Sequence, residues 1–313
     1  MIEFSVETLK RQNLPYVGHL WMVATPLGNL SDLSPRARSV LASVEVLLAE
    51  DTRRARALFS ALEIATPRRI LRLDAHVEQK SLEPILDEIA LGRRVAFVSD
   101  AGTPGVSDPG ARLVARAHAR GIRVEPIPGP SAVTAFLSVA GFSGSAFVFR
   151  GFFPRKKAER ERELRSWMQT SAFCGSGIWF ESPERVLSSL KDFLTLLSSE
   201  QEVCIAKELS KTFERVWRGS ASTMLPRLIQ ELSEDATLER GEWVLGLEQN
   251  LKNALVSAQS GDWRHEARER IMRGEKAAHI ARDLSQRFGV SREDAYAEAL
   301  SAQEIRRKSS RGT

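Results

Sequence analysis

Short apolar runs that end in Gly- and Pro-rich turns recur along the chain. "HLWMVATPLGN", "VEVLLAE", "RRVAFVSDAG" and "IRVEPIPG" each place a buried-strand pattern directly before a turn. Between them, stretches such as "SPRARSVLAS" and "GARLVARAHARGI" carry apolar residues at helical spacing. Ser34 as cap and Pro35 at the first helical position mark one helix start. This alternation predicts a largely parallel sheet with helices on both faces. A second set begins near Phe147, with strands "AFVFRGF", "SGIWFES", "EVCIAKEL" and "GEWVLGLE" and a helix "SPERVLSSLKDFLTLL" among them. It predicts α/β structure again, with mixed strand directions. Beyond a polar linker around "QNLKNALVSAQSGDW", the segment from His265 to Leu300 reads as helices joined by a Gly-containing turn at "RFGVSRED", a small helix-turn-helix. The expected organisation is an extension at 1–17, α/β domains at 18–128 and 129–250, and a helical tail at 262–313.

Composition narrows the class. The 313 residues are 42% apolar and 27% charged, the balance of a soluble globular protein. Cys174 and Cys204 have no metal-ligand spacing, and the five His are scattered without an HExxH pattern, so no metal site is expected. The uncharged stretch from Pro126 to Phe149 is long enough for a membrane span, but its three Pro, three Gly and four Ser break it into loop, helix and strand. The first twenty residues lack the apolar core of a signal peptide, which places the protein in the cytoplasm. A net charge of +5 and a pI near 9.4 suit a polyanionic partner. The basic residues cluster in "EDTRRARAL", "PRRILRL", "FPRKKAERERELR" and the tail, although interleaved Glu also suits solvated helix faces.

The turns carry the candidate chemistry. No GxGxxG follows the first strand and no GxxxxGK[ST] is present, which removes the common NAD and ATP sites. "VSDAGTPGVSDPG", residues 98 to 110, instead packs three Gly, two Pro and two Asp into a loop at a strand end. Gly lets a ligand lie against main chain, and Pro and Asp fix the turns around it. "TPLGN", "PGPSA" and "FESPER" end other strands, so loops from two domains could enclose a small ligand. The alternative for Asp100 and Ser131 is that each caps the helix after its turn.

"TPLGNLSDLSPRA", "AEDTR", "SDAGTPGVSDPG", "PGPSA", "FESPER" and "KELSKTFE" occur in this order. Together they resemble the 16S ribosomal RNA cytidine-2′-O-methyltransferase family, a branch of the tetrapyrrole methylase superfamily, from about Gly18 to Gln249. The resemblance implies an α/β, two-domain tetrapyrrole-methylase-like fold, usually homodimeric, that binds S-adenosylmethionine in an interdomain cleft. It implies cofactor contacts at Pro26, Leu27, Asp100, Thr103, Ser131, Ala132, Phe180 and Glu181. The sequence also departs from the family. Gly105 stands where a large aliphatic residue is usual, Asp74 and Val77 replace the first His and the Asn of a His-x-His-Asn run that keeps His76, and Glu184 replaces a His.

The reaction so implied is in-line methyl transfer to a ribose 2′-hydroxyl of 16S rRNA in the small ribosomal subunit. It needs alignment and a proton acceptor. Polar residues at strand ends are the candidates: Glu50 and Asp51 on one strand, Lys207 and Glu208 on another, and Glu181 on a third. Asp51 or Glu208 accepts the proton, while Arg53, Arg54, Arg56, Arg155, Lys156, Lys157 and Lys207 hold phosphates. Alternatively, Asp51 caps a helix or pairs with Arg53. The tail, with twelve Lys and Arg against nine Asp and Glu, adds a weaker basic surface or serves as a dimerisation or packing module. Two rival functions remain open at this point, a tetrapyrrole C-methyltransferase and a non-catalytic RNA-binding protein on the same fold.

Overall fold

The computed structural model describes residues 18–73, 82–144, 146–235, 238, 240–249, 263–288 and 290–309. The 1–17 extension, the loop with Asp74, His76 and Val77, and the 250–262 linker lie outside the described residues.

The first sheet has five parallel strands in the order β3-β2-β4-β1-β5. These are β1 (His19–Val23), β2 (Val46–Ala49), β3 (Arg69–Arg72), β4 (Val95–Val98) and β5 (Arg123–Ile127). Every residue of β2 and β4 is buried, as strands covered on both faces require. On one face, α1 (Pro35–Ser43) and α2 (Thr52–Ala61) pack Leu41 and Phe59 against Val23, Leu47 and Val98. On the other, α3 (Glu83–Ala90) and α4 (Gly110–Ala119) pack Leu86 and Leu113 against Leu20, Leu48 and Phe97. The Ser34 hydroxyl accepts from the Ala37 N–H at 3.1 Å and Pro35 opens α1, as the sequence predicts.

After β1 the chain passes β4 to reach β2; after β4 it passes β1 to reach β5. The helices that follow these two strands, α1 and α4, therefore lie on opposite faces of the sheet. The ends of β1 and β4 flank a topological switch point, where open α/β sheets leave a crevice for a ligand.

The second sheet has the order β6-β7-β10-β8-β9. Strands β6 (Phe147–Phe152) and β7 (Ser176–Glu181) are parallel to each other. Strands β8 (Glu202–Lys207), β9 (Arg215–Ser220) and β10 (Trp243–Leu247) pair antiparallel, which makes the sheet mixed as expected. Its core joins Trp167 of α6 (Lys157–Cys174), Phe193 of α7 (Pro183–Leu196) and Leu225 of α8 (Ala221–Glu234) to Trp179 and Trp243 of the strands. On the opposite face, α5 (Ala132–Ala140) buries Phe136 against Ile178, Cys204 and Val244. Burial pushes the Cys204 thiol up to about 12, which keeps it protonated and unreactive.

The tail holds three helices rather than two: α9 (Trp263–Met272), α10 (Ala277–Phe288) and α11 (Arg292–Ser309). Gly274, at φ +94°, divides what reads in the sequence as one helix. Trp263, Ile271, Ile280 and Leu284 form its own core with Ala295 and Ala299.

Candidate active site

Strand ends of the first sheet supply one wall of an open cavity of about 290 Å³. Leu27 follows β1, Glu50 follows β2, and Ser99 to Thr103 follow β4, while Ser131 and Ala132 begin α5. The second sheet supplies the facing wall through Phe152, Phe180, Glu181, Trp243 and Val244. The 98–110 loop is pinned to the end of β1 by reciprocal bonds, Thr25 N–H to Gly102 O and Gly102 N–H to Thr25 O, both 3.0 Å. Gly102 sits at φ +77°, and a Cβ there would lie 3.1 Å from the Leu27 side chain. Only glycine keeps both that backbone and that approach. The Thr103 hydroxyl donates to Pro130 O at 2.8 Å and ties the loop to the segment that opens α5. Gly105 takes φ +93°, a backbone at which a large aliphatic side chain would be strained.

The charge of the site is one-sided. Glu50, Asp100, Asp108, Glu181 and Glu242 line the cavity, with Arg54 as the base among its lining residues. Asp108 is spent on its own loop, accepting from Gly105 N–H and Gly110 N–H at 2.7 Å each. Asp100 caps no helix: it meets Arg54 at 3.4 Å and lies near Glu50, whose carboxylate is 3.4 Å from the Asp100 N–H. Glu50 is pushed above the ordinary glutamate range by partial burial and then by the Asp100 and Asp108 charges, against the Asp100 N–H and Arg54. Ser131 holds the cap position of α5 without a capping bond from its side chain, so the capping alternative falls away for both residues. An adjoining smaller hollow shares Arg54, Ser99 and Asp100 and reaches Pro26, Asp51 and Thr25. There the buried Thr25 hydroxyl has no hydrogen-bond partner in the protein.

Leu27, Asp100, Thr103, Ser131, Ala132, Phe180 and Glu181 thus converge on one cavity, and Pro26 lines the adjoining hollow. The Glu181 carboxylate is committed elsewhere. It accepts from Ser182 N–H at 2.7 Å and from the Ser189 hydroxyl at 2.5 Å, and pairs with Arg185 at 2.6 Å, which ties β7 to α7. Glu184 sits in the first turn of α7, where a carboxylate suits the helix dipole.

Both candidate bases have other work. Asp51 caps α2 through Arg53 N–H at 2.8 Å and holds the Arg53 guanidinium at 2.6 Å, which keeps its carboxyl well below the usual range. Glu208 lies outside the cavity lining. Its carboxylate holds Lys211 at 2.8 Å and Glu242 N–H at 2.9 Å; burial opposes its charge, and these bonds outweigh it and lower the pKa. Of the strand-end candidates, Glu50 lines the cavity, whereas its neighbour Asp51, preferred from the sequence, does not. Lys207 needs correction as a phosphate contact: it is 5% exposed, with its ammonium over the Trp243 ring. Arg53, Arg54, Arg56, Arg155, Lys156 and Lys157 are exposed, and the last three begin three residues beyond the cavity-lining Phe152. Among the described residues no helix is long and apolar enough to cross a membrane, and no His, Cys, Asp and Glu cluster could hold a metal ion.

Residues 19–225 match the family model of tetrapyrrole (corrin/porphyrin) methylases. A cobalt precorrin-4 methyltransferase, a cobalamin biosynthetic enzyme, shares the fold with a TM-score of 0.51 at 16% identity, over 73% of this chain and 94% of that one. The family match over 19–225 places the chain among the tetrapyrrole methylases, and the shared fold agrees with it. Within that class two relatives are much nearer in sequence. The ribosomal RNA small subunit methyltransferase I of Vibrio cholerae is 41% identical over 226 residues, 72% of this chain and 75% of the relative. The Synechocystis protein of the same name is 34% identical over 280 residues, 90% and 96% of the two chains. The chain belongs to the ribosomal RNA small subunit methyltransferase I family.

Proposed function

We propose that the protein methylates 16S rRNA with S-adenosylmethionine, and that the acceptor is the 2′-hydroxyl of a cytidine. The observation that carries this reading is the contrast of charge at the switch-point cavity. The lining is rich in carboxylates, which suits a cationic small ligand, while exposed arginines and lysines flank it, which suits a polyanion outside. A tetrapyrrole bears carboxylates that exposed bases would also suit; the relatives at 34–41% identity, named for small-subunit ribosomal RNA, favour RNA over it.

The residues fit the cofactor. Asp100 is an acceptor with its carboxylate toward the cavity, Ser131 has a hydroxyl free of capping, and Ala132 begins a helix whose first N–H groups can receive a carboxylate. Phe180 and Leu27 give apolar wall, and the unpartnered Thr25 hydroxyl in the adjoining hollow awaits a polar group. When bound, S-adenosylmethionine supplies a methyl group on a positively charged sulfur. The protein's tasks are then alignment and proton removal. Glu50 takes the proton from the ribose 2′-oxygen, in place of Asp51 or Glu208. Asp51 fixes the start of α2 and so the position of Arg54, and Glu208 fixes the Glu242 segment. Arg53, Arg56, Arg155, Lys156 and Lys157 hold phosphates.

The test is transfer of labelled methyl from S-adenosylmethionine to small ribosomal subunits, followed by mapping of the modified nucleotide. Label in a 2′-O-methylcytidine of 16S rRNA is the expected result, and label absent from the RNA overturns the reading. In calorimetry, Asp100→Ala should weaken S-adenosylmethionine binding by about ten- to hundredfold, the cost of one charge-assisted hydrogen bond. Unchanged affinity would remove Asp100 from the cofactor site. Raising salt should weaken RNA binding steeply, and charge-neutral replacement of Arg155, Lys156 and Lys157 should flatten that dependence.

A further inference from the structure

Phe152 is 57% exposed, although it closes a buried-strand pattern and lines the cavity. Three features of the backbone put it there. Strand β6 is the outer strand of its sheet, and its register against β7 breaks near its end. Phe149 faces Ile178 while Phe152 faces Phe180, so three steps on β6 answer two on β7. The extra residue is a bulge, a device that re-aims a side chain at a strand end. Gly151 makes it possible at φ +74°, in open space where no atom lies within 4 Å of a would-be Cβ. Without the bulge, strict alternation would send the side chain to the other face.

The ring so placed is supported from behind. Phe180 meets it edge-on at 5.6 Å and 71°, and Phe149 backs Phe180 at 4.6 Å. More than half of the Phe152 surface is left to solvent beside the cavity, and the exposed Arg155, Lys156 and Lys157 follow directly. A π face beside a cationic run is the pairing that binds single-stranded nucleic acid, the base on the ring and the backbone on the charges. We propose that Phe152 is the platform on which the base of the target nucleotide stacks, so that its ribose is held over the cavity. This inference rests on the RNA-methylating reading above and adds a residue that positions the acceptor.

The experiment compares wild type with Phe152→Ala, Phe152→Leu and Phe152→Tyr. Methyl transfer is measured to small ribosomal subunits from cells lacking the enzyme, cofactor affinity by calorimetry, and oligomeric state by sedimentation. Phe152→Ala should lower kcat/KM for the subunit about five- to hundredfold, with cofactor Kd changed less than about threefold, the span expected for loss of one base–aromatic stack. Phe152→Tyr should keep most of the rate, and Phe152→Leu, with apolar bulk but no π face, should behave like Phe152→Ala. Full activity in Phe152→Leu overturns the proposal, since any apolar wall would then serve. A cofactor Kd that rises in step with the lost activity assigns the ring to the cofactor instead. A shift to a smaller oligomer in Phe152→Ala assigns it to a contact with a second copy. If wild type transfers no methyl to the subunit, the functional reading itself fails and this inference falls with it; a normal rate in Phe152→Ala removes this inference alone.

Discussion

Replacing Glu50 by Gln should lower kcat for methylation of the small subunit by about 10²- to 10⁴-fold, the usual contribution of a positioned base, and should leave the fold at least as stable as before. The two halves of this expectation have one cause. Glu50 lines the cavity between Asp100 and Asp108, and burial together with those like charges holds its pKa above the ordinary value. A carboxyl whose folded pKa is raised favours folding below its unfolded pKa and loses that contribution as pH rises through the folded value. At neutral pH the ionised Glu50 is therefore a cost to stability, and the neutral amide relieves it. Activity runs the opposite way, because a base works only when deprotonated. The rate should fall as pH drops through the raised pKa, so the acid limb lies higher than for an unperturbed glutamate. In Glu50→Gln that limb should vanish from the residual rate. Asp51→Asn supplies the contrast. Its carboxyl is lowered by Arg53, so it adds stability above its unfolded pKa that is lost as pH falls. Its replacement should weaken the fold and leave the acid limb in place. A Glu50→Gln enzyme with the wild-type kcat would send the proton to another group.

Glu50 and Asp51 also mark how far the sequence could be read. "AEDTR" shows two adjacent carboxylates at a strand end, and nothing local says which faces the ligand. The decision is made by α2, whose first turn takes Asp51 as its cap and leaves Glu50 to the cavity. The glycine-rich turns were legible because Gly, Pro and Asp act on their own backbone, and strand order then carries those turns to one crevice. What the sequence concealed is nonlocal or lies at an edge. Strand β9, "RVWRGS", escaped notice as a strand because edge strands carry charges that interrupt apolar alternation. Trp243 reaches the site only because β10 inserts between β7 and β8. Lys207 looked like a surface cation at a strand end, yet β8 is an inner strand and Trp243 covers its end.

The largest loss of stability should come from Asp192→Ala, about 3–5 kcal/mol, because it strands a buried charge. Arg160 of α6 and Asp192 of α7 are each 7% exposed and meet at 2.5 Å. Arg160 also donates to the Arg155 carbonyl at 2.7 Å. Removing the carboxylate leaves the buried guanidinium with one backbone acceptor, the Arg155 carbonyl. Urea denaturation should show the loss as a lower midpoint. A change under about 1 kcal/mol would mean that Arg160 finds solvent, as an exposed pair would. Replacing both members together, Arg160→Met with Asp192→Leu, should recover most of the stability, since a buried pair contributes little beyond an apolar pair of similar size. That double variant then separates stability from function. It removes the guanidinium that holds the Arg155 carbonyl, so the 155–157 run loses its anchor while keeping every charge. RNA affinity should fall even though the fold is sound and Arg155, Lys156 and Lys157 are all present. An unchanged affinity would mean that these residues bind phosphate as a loose cloud of charge, with no need of a fixed backbone.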